Sequence, residues 1–146
     1  MQEIRKIFED KLGDKLLRYR FPAPSYTLME TEIIAYDEEK ELLITKMPVL
    51  ENFLNPFGTM QGGMIIAAMD NAIGSLSMLV ANFNMTRNIE SKLIKAIPKD
   101  LEFIYITAKL SERKKRRLIF DVIVKDKEDN IYAKATITNW IVEEKL

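Results

Sequence analysis

The sequence predicts an α+β domain in which an antiparallel sheet wraps around one long central helix, with an extra helix at the N-terminus. The first observation is a mostly apolar segment, residues 62–81, which is long enough for one buried helix. The second is that stretches typical of strands lie on both sides of it, and the third is that short charged turns join most of them. Strands with short connections favour antiparallel pairing, and a helix buried on most sides needs a sheet around it. A chain of 146 residues fits one domain, so 1–146 is interpreted as a single unit.

Residues 1–20 are predicted to form an amphipathic helix. Apolar residues recur there at helical spacing, and Gly13 interrupts the pattern. The sequence Phe21-Pro22-Ala23-Pro24 ends the helix, because proline and the residue before it disfavour helical backbone. The apolar positions are Ile4, Phe8, Leu12 and Leu16.

Six further stretches have the composition or alternation of strands. The first two are separated only by Asp37-Glu38-Glu39, which is short and charged enough for a hairpin turn. Alternation of side chains between the two faces of a strand is clearest between Leu101 and Leu110. The predicted strands are 27–36, 40–49, 89–97, 101–110, 118–124 and 131–142.

The composition excludes several kinds of chemistry. The chain contains no Cys, which rules out disulfides, thiol nucleophiles and cysteine-bound metals. It contains no His, which rules out histidine-based triads and histidine general bases. Acid–base chemistry would therefore fall to carboxylates, Lys, Tyr or polarised water. Lys+Arg and Asp+Glu both number 22, so no overall field favours nucleic acid or an anionic membrane.

The sequence favours a cytoplasmic location. The first residues are charged and lack the apolar core of a signal peptide. The apolar segment 62–81 approaches the length of a membrane span, but it carries Asp70 near its middle, where a charge is costly in lipid.

The segment 62–81 has two different faces when it is projected as a helix. One stripe is bulky and apolar, which suits packing against a sheet, and the other is small apart from Asp70. Asp70 is the only charged residue of the segment, and it is either a functional carboxylate or one satisfied by its neighbours. The bulky stripe is Ile65, Met69, Ala72, Leu76 and Leu79, and the small stripe is Gly63, Ala67, Asp70, Gly74, Ser77 and Ala81.

The start of this helix is a second candidate feature. Gly62-Gly63 at a helix N-terminus leaves backbone N–H groups accessible, which could polarise a carbonyl, although an ordinary glycine-rich turn has the same sequence. Gly62 and Asp70 are eight residues apart, or roughly 12 Å along the axis. One helix cannot bring both to the same carbon, so joint action predicts a dimer with shared sites.

Two sequence runs resemble a known family. Asn55-Pro56-Phe57-Gly58-Thr59-Met60-Gln61-Gly62-Gly63 and the following Ala67-Ala68-Met69-Asp70-Asn71-Ala72-Ile73-Gly74 are similar to the motif of hotdog-fold acyl-CoA thioesterases of the phenylacetic-acid-pathway type. The resemblance also covers the strand that ends at Pro98. It implies the hotdog fold, an acyl-CoA substrate, a homodimer or homotetramer, and no metal or cofactor beyond the coenzyme A moiety of the substrate.

The resemblance also implies roles for individual residues. Asp70 would be the nucleophile or the general base that activates water against the thioester carbonyl, and the Gly62 N–H would polarise that carbonyl beside Gly63. Asn55 would orient the thioester or the water. Asn88 falls where some relatives place a serine that positions water.

One position departs from the family motif, since Gln61 occupies the place of its histidine. Glutamine forms hydrogen bonds but carries no proton charge at neutral pH. The alternatives are therefore hydrolysis, acyl-CoA binding without hydrolysis, and a purely structural module. The absent histidine also argues against the hotdog dehydratases and hydratases.

The run Arg113-Lys114-Lys115-Arg116-Arg117 is the densest charge cluster. It is interpreted either as a solvated hairpin turn or as a clamp for the phosphates of coenzyme A, with Arg113, Lys114 and Lys115 as the contact residues. Nucleic-acid binding is disfavoured because no aromatic residue lies within the run.

Overall fold

The computed structural model describes residues 2–142; position 1 of the predicted N-terminal helix lies outside them. Three helices and six strands form the fold, with short 3₁₀ turns at Gly13–Arg18, Glu51–Phe53 and Lys99–Leu101. The helices are α1 (Gln2–Leu12), α2 (Pro24–Leu28) and α3 (Gly62–Val80), and the strands are β1 (Glu32–Asp37), β2 (Leu42–Pro48), β3 (Asn84–Leu93), β4 (Phe103–Lys114), β5 (Arg117–Lys125) and β6 (Ile131–Ile141).

The strands form one antiparallel sheet in the order β1-β2-β4-β5-β6-β3. Strands β1 and β2 form one hairpin, and β4, β5 and β6 form two more, as their short charged turns predict, while β3 crosses over to pair with β6. Strands β1 and β3 are therefore the two edges of the sheet. The predicted fold class, an antiparallel sheet around a central helix with an added N-terminal helix, is confirmed.

Helix α3 packs its bulky stripe against the sheet. Every residue of that stripe is buried, and Met69, Ala72 and Leu76 are completely so. By length and composition alone α3 could also cross a membrane, and it is the only such helix in the part of the chain that the structure describes. Its bulky stripe packs on sheet residues that are equally buried, as a helix in a protein core does. The core residues of the sheet include Leu43, Met47, Ile104, Ile106, Leu118, Phe120 and Ile137.

Helix α1 lies over α3 and β1, and its apolar stripe follows the predicted spacing. Phe8 is fully buried, and its ring lies 4.4 Å from the ring of Phe21 between centroids. The α-helix ends at Leu12, where Gly13 adopts a positive φ of 52° and the backbone continues as a 3₁₀ turn. The predicted interruption at Gly13 is therefore confirmed.

The prediction of a strand from residue 27 is wrong at its N-terminal end. Pro24 occupies the first position of α2, where proline is favourable because its missing N–H and fixed φ suit a helix start. Residues 24–28 consequently form a helical turn, and the strand begins only at Glu32.

The bounds predicted for the strand after α3 are also wrong. Strand β3 begins at Asn84, before the predicted residue 89, because its polar first half pairs with the end of β6. It ends at Leu93, before the predicted residue 97, because the N–H groups of Ile94 and Lys95 both donate to the Tyr132 carbonyl and leave the ladder.

Candidate functional site

Asp70 faces a cavity of about 650 Å³ between the N-terminal segment and the small stripe of α3. This Asp70 cavity has mostly apolar walls, and polar side chains from α3, β3 and β6 meet others from the N-terminal segment at its rim, among them Arg5, Lys15 and Arg20. The small stripe is what makes room for it, since Gly74 and its neighbours leave space that larger side chains would fill. A cavity of this size is typical of a small-molecule site.

The Asp70 carboxylate is held by Thr86. The Thr86 hydroxyl donates to Asp70 Oδ1 at 2.8 Å, which leaves Oδ2 for another donor. Thr86 lies on β3 and is paired with Asn139 of β6. The edge strand therefore brings a hydroxyl to the middle of α3.

Two asparagines continue this polar wall. Asn139 is 2% exposed, and its Nδ2 donates to Asn84 Oδ1 at 2.7 Å. Asn84 Nδ2 in turn donates to the carbonyls of Asn82 at 2.9 Å and Ser77 at 3.4 Å. Both asparagine side chains line the Asp70 cavity.

Tyr26 closes another side of the Asp70 cavity. Its hydroxyl donates to the Asn71 carbonyl at 2.8 Å. Burial raises the pKa of the Tyr26 phenol far above its ordinary range, and a smaller opposing effect comes from Ser75. Tyr26 is therefore a neutral donor that ties α2 to α3 beside Asp70.

The glycine pair lies at the other end of α3, outside the residues that line the Asp70 cavity. Gln61 is the exposed N-cap residue and makes no capping hydrogen bond with its side chain. A Cβ on Gly62 would lie 2.8 Å from Leu93 Cδ1, whereas a Cβ on Gly63 would meet nothing within 4 Å. The side of the helix start next to Gly63 is thus open, and Gly62 packs under the end of β3.

Asn55 shapes the loop that leads into this helix start. Its Oδ1 accepts from the N–H groups of Phe57 at 3.0 Å and Thr59 at 3.1 Å, and its Nδ2 donates to Thr59 Oγ1 at 2.9 Å. These bonds close an Asx-type turn. The Asn55 side chain is thus bonded within its own loop, and the backbone of that loop connects it to the glycine pair.

Asn88 is exposed and does not lie beside Asp70. A β-bulge between Thr86 and Asn88 places Asn88 opposite Thr138, so its side chain points to the face of the sheet opposite to that of Thr86. The hydroxyl that contacts Asp70 is that of Thr86, two residues earlier.

The basic cluster occupies the end of β4, the turn and the start of β5, near the C-terminus of α3. Arg113 donates to the Val80 carbonyl at 2.7 Å and to Glu41 Oε2 at 2.9 Å, so it caps α3 and joins it to the turn after β1. Lys114 and Lys115 are exposed, and Lys115 has a positive φ of 55° in the turn.

The structure thus brings Asp70 together with Thr86, Asn139 and Tyr26, and keeps it apart from the predicted group at the helix start. Sequence reasoning missed those three partners. Thr86 and Asn139 stand in strand segments whose pairing is set by the bulge, and Tyr26 stands in a segment predicted as strand. No group of three or more Asp or Glu side chains suited to a metal ion occurs within residues 2–142.

Comparison with solved structures identifies the fold. The chain is similar to the PaaI protein from the phenylacetic acid degradation operon of E. coli, with 11% identity, 96% of each chain covered and a TM-score of 0.79. It is similar to a variant of a thioesterase from Staphylococcus aureus, with 20% identity, 81% of this chain and 98% of that chain covered, and a TM-score of 0.74. It is also similar to a Streptococcus mutans protein bound to acetyl CoA, with 20% identity, 80% and 91% covered, and a TM-score of 0.71.

These similarities show that the chain has the hotdog fold of this group of thioesterases. At such low identities they establish the fold and leave the chemistry to the residues. No protein-family model matches the sequence, and no curated protein sequence matches it.

Proposed function

We propose that the protein hydrolyses an acyl-CoA thioester, with Asp70 as the carboxylate that drives the attack. The observation that carries the proposal is the placement of the only charged residue of α3 in a cavity large enough for an acyl group. The hydrogen bond from Thr86 fixes the orientation of the carboxylate, as a base or nucleophile requires.

The Gly62 N–H is proposed to polarise the thioester carbonyl. Free N–H groups at a helix start stabilise developing negative charge, and Gly63 leaves the approach open. Because Gly62 and Asp70 lie roughly 12 Å apart on one helix, each site would combine Asp70 of one copy with Gly62 of a second copy.

The exposed edge strand supports such an assembly. Met85, Leu93 and Ile94 on and beside β3 are 51%, 45% and 45% exposed, and Trp140 on the neighbouring strand is 44% exposed. Unpaired edges with apolar side chains favour pairing with another chain. We propose a homodimer, or a tetramer built from two of them, acting in the cytoplasm without cofactor or metal.

The fold supports coenzyme A as the carrier of the acyl group, since a Streptococcus mutans protein of this fold is bound to acetyl CoA. The exposed Lys114 and Lys115 are proposed to contact its phosphates. Arg113 is proposed to position that turn, because its guanidinium already bonds Val80 and Glu41.

A second candidate is acyl-CoA binding without hydrolysis. Gln61 favours it, because its neutral amide cannot give or take a proton at the helix start. It also makes no capping hydrogen bond there. This function would need the same cavity but no carboxylate.

The deciding experiment compares wild type, Asp70→Asn and Asp70→Ala on a panel of acyl-CoAs by release of free thiol. We expect kcat/KM to fall by about 100-fold or more in both variants, the range for loss of a general base. Asp121→Asn, which removes an exposed carboxylate on β5, is the matched control and should act as wild type. Turnover that survives both Asp70 substitutions would refute the role of Asp70. Binding of CoA esters without turnover by wild type would favour the second candidate.

A further inference from the structure

The Asp70 cavity extends from Asp70 in one direction along α3. The α3 residues that line it begin at Asp70, and the lining continues past the end of the helix to Ala81. Gly74 and Ser77 line it between these two residues, and their spacing of three or four positions places them on the same face. The cavity is therefore a channel along the second half of α3, with the carboxylate at one end.

The length of this channel matches an extended hydrocarbon chain. Ala81 follows Asp70 by 11 positions, which corresponds to about 16 Å along the axis. An extended carbon chain advances about 1.2 Å per bond, since a peptide residue with three backbone bonds spans about 3.3–3.6 Å. The channel thus accommodates roughly 13 bonds. A phenylacetyl group would fill less than half of this length and would leave apolar walls without contacts.

The N-terminal segment bounds the far end of the channel. Leu12, the last residue of α1, and the exposed Lys15 line the channel together with Ala81. Leu12 and Lys15 also line a second, smaller hollow that Val80 and Arg113 border, so Leu12 belongs to the wall between the two spaces. Lys15 can keep its charged amine in water while its methylenes cover the apolar end.

The walls between the two ends suit an apolar ligand. Phe21 from the N-terminal segment lines the channel, and so do Met78 and Phe83. The Ser77 hydroxyl donates to the Gly74 carbonyl at 2.8 Å, so its only proton is already used. A ligand that occupies this part of the channel therefore gains contact with hydrocarbon and finds no free hydroxyl donor at Ser77.

We propose that this channel holds the acyl chain of the substrate and selects CoA thioesters of unbranched fatty acids with about 10 to 14 carbons. The inference rests on the proposed function and names its substrate class. The thioester carbon lies at Asp70, and the first methylenes pass Gly74, where an added Cβ would meet nothing within 4 Å. The last methylenes reach Leu12 and Ala81, which determine specificity without touching the reacting atoms.

A series of straight-chain acyl-CoAs from acetyl to octadecanoyl tests the length of the channel, with hydrolysis followed by release of free thiol. We expect kcat/KM to rise about 4-fold for each added methylene up to about 12 carbons, because each one buries apolar surface. Beyond about 14 carbons it should level off or fall, because the channel is full. Phenylacetyl-CoA should be hydrolysed at least about 10-fold less well than dodecanoyl-CoA. A profile that is flat with length, or highest for the aryl ester, would overturn the inference.

Two substitutions at the far end should shift this profile in opposite directions. Ala81→Leu shortens the channel, so the preferred chain should become about two to four carbons shorter. Leu12→Ala opens the wall towards the second hollow, so the preferred chain should lengthen. Activity on butanoyl-CoA should change little in both variants, since a short chain does not reach either residue. Thr136→Leu, on the exposed face of β6, is the control and should leave the whole profile unchanged.

A third substitution blocks the channel close to the carboxylate. In Gly74→Leu we expect kcat/KM for dodecanoyl-CoA to fall by at least about 100-fold, because roughly seven methylenes lose their place in the channel. Hydrolysis of acetyl-CoA should change far less. Leucine favours helix more than glycine does, so α3 should remain folded, and thermal unfolding checks this. If Gly74→Leu does not fold, an unshifted profile in both Ala81→Leu and Leu12→Ala still overturns the inference.

Binding of straight-chain primary alcohols separates this inference from the proposed function. Alcohols need no hydrolysis, and unlike fatty acids they carry no charge that Asp70 would repel. Calorimetric titration with alcohols of 6 to 14 carbons should show affinity that rises about 4-fold per methylene up to about 12 carbons, and the limit should be shorter in Ala81→Leu. Wild type that binds alcohols in this way but hydrolyses no acyl-CoA would refute hydrolysis and support the channel. Turnover that is lost in Asp70→Asn, with length profiles that Ala81→Leu and Leu12→Ala leave unchanged, would refute the channel alone.

Discussion

At the scale of single residues, the groups around Asp70 owe their chemistry to neighbours that are distant in sequence. Tyr26 shows this most simply, because it is 6% exposed and its hydroxyl donates a hydrogen bond to the Asn71 carbonyl of α3. An ionised phenolate at this position would be desolvated and would face a backbone acceptor. The neutral phenol is therefore tied to the folded state, and burial raises its pKa.

This coupling predicts an alkaline stability difference between wild type and Tyr26→Phe. The raised folded pKa means that the native state keeps the proton after the unfolded chain has lost it. The stability from neutral Tyr26 is complete below the unfolded pKa of about 10 and is lost as the pH rises towards the folded pKa. Wild type should lose up to about 1.4 kcal/mol more per pH unit above pH 10 than Tyr26→Phe.

Urea unfolding at a series of pH values from 8 to 11 measures this difference. The tyrosines Tyr36 and Tyr132 also have raised pKa values, but they titrate in both proteins and cancel in the comparison. Parallel stability curves for the two proteins would mean that Tyr26 ionises freely in the folded state.

At this scale the sequence predicted Asp70 but not its partners. A lone carboxylate among small residues is visible in a one-dimensional pattern. The contact with Thr86 depends on a bulge that moves the pairing by one residue, whereas the family resemblance pointed to Asn88. The bond from Asn139 to Asn84 depends on strand pairing that only tertiary structure defines.

At the scale of elements, α3 carries its candidate groups at separate places along one axis. Its middle carries Asp70, its start carries the glycine pair, and its end is capped by Arg113. Over its 19 residues the helix is roughly 28 Å long, so these three regions lie far apart. The apolar pattern predicted this helix to within one residue of its end, because no other segment of the chain has an apolar run of this length.

The helix start allows a test of the N–H group that leaves the helix intact. Gly62 is the first residue of α3, where proline is tolerated, and Gln61 has the extended ψ of 134° that a residue before proline prefers. Gly62→Pro removes the N–H, whereas Gly62→Ala keeps it and meets the same Leu93 side chain. We expect kcat to fall about 100- to 1,000-fold in Gly62→Pro, the usual loss for one oxyanion donor.

Gly62→Ala should retain most of its activity, because the atom that its Cβ would meet is the terminal methyl of a flexible Leu93 side chain. Thermal unfolding of both variants checks that the fold is intact. Equal losses of kcat in the two variants would point to crowding by Leu93 rather than to the missing N–H.

Elements with mixed signals were predicted less well. Tyr26 and Thr27 favour strand by propensity, but Pro24 starts a helical turn there. The first half of β3 is polar because it lies at an edge of the sheet, and this hides the alternation by which buried strands are recognised.

At the scale of the whole molecule, the separation of Gly62 from Asp70 predicts that sites are shared between copies. Co-expressing Asp70→Asn and Gly62→Pro chains with different tags should give mixed dimers with one intact site, formed by the unmodified Asp70 of one chain and the unmodified Gly62 of the other. With random pairing, about half of the dimers are mixed, so activity should recover to about a quarter of wild type.

Tandem affinity purification isolates the mixed dimers, and each homodimer purified in the same way is the control. Mixed dimers as inactive as both parents would mean that each site lies within one chain, and the role of Gly62 would have to be abandoned.

The exposed edge of the sheet at β3 has a consequence for how the protein must be assayed. If two such edges pair, the substrate site exists only in the associated form, and the number of sites follows the law of mass action. Activity per chain should then fall on dilution below the dissociation constant of the dimer and recover on reconcentration. The activity of each chain would therefore depend on the concentration of the protein itself as well as on that of its substrate.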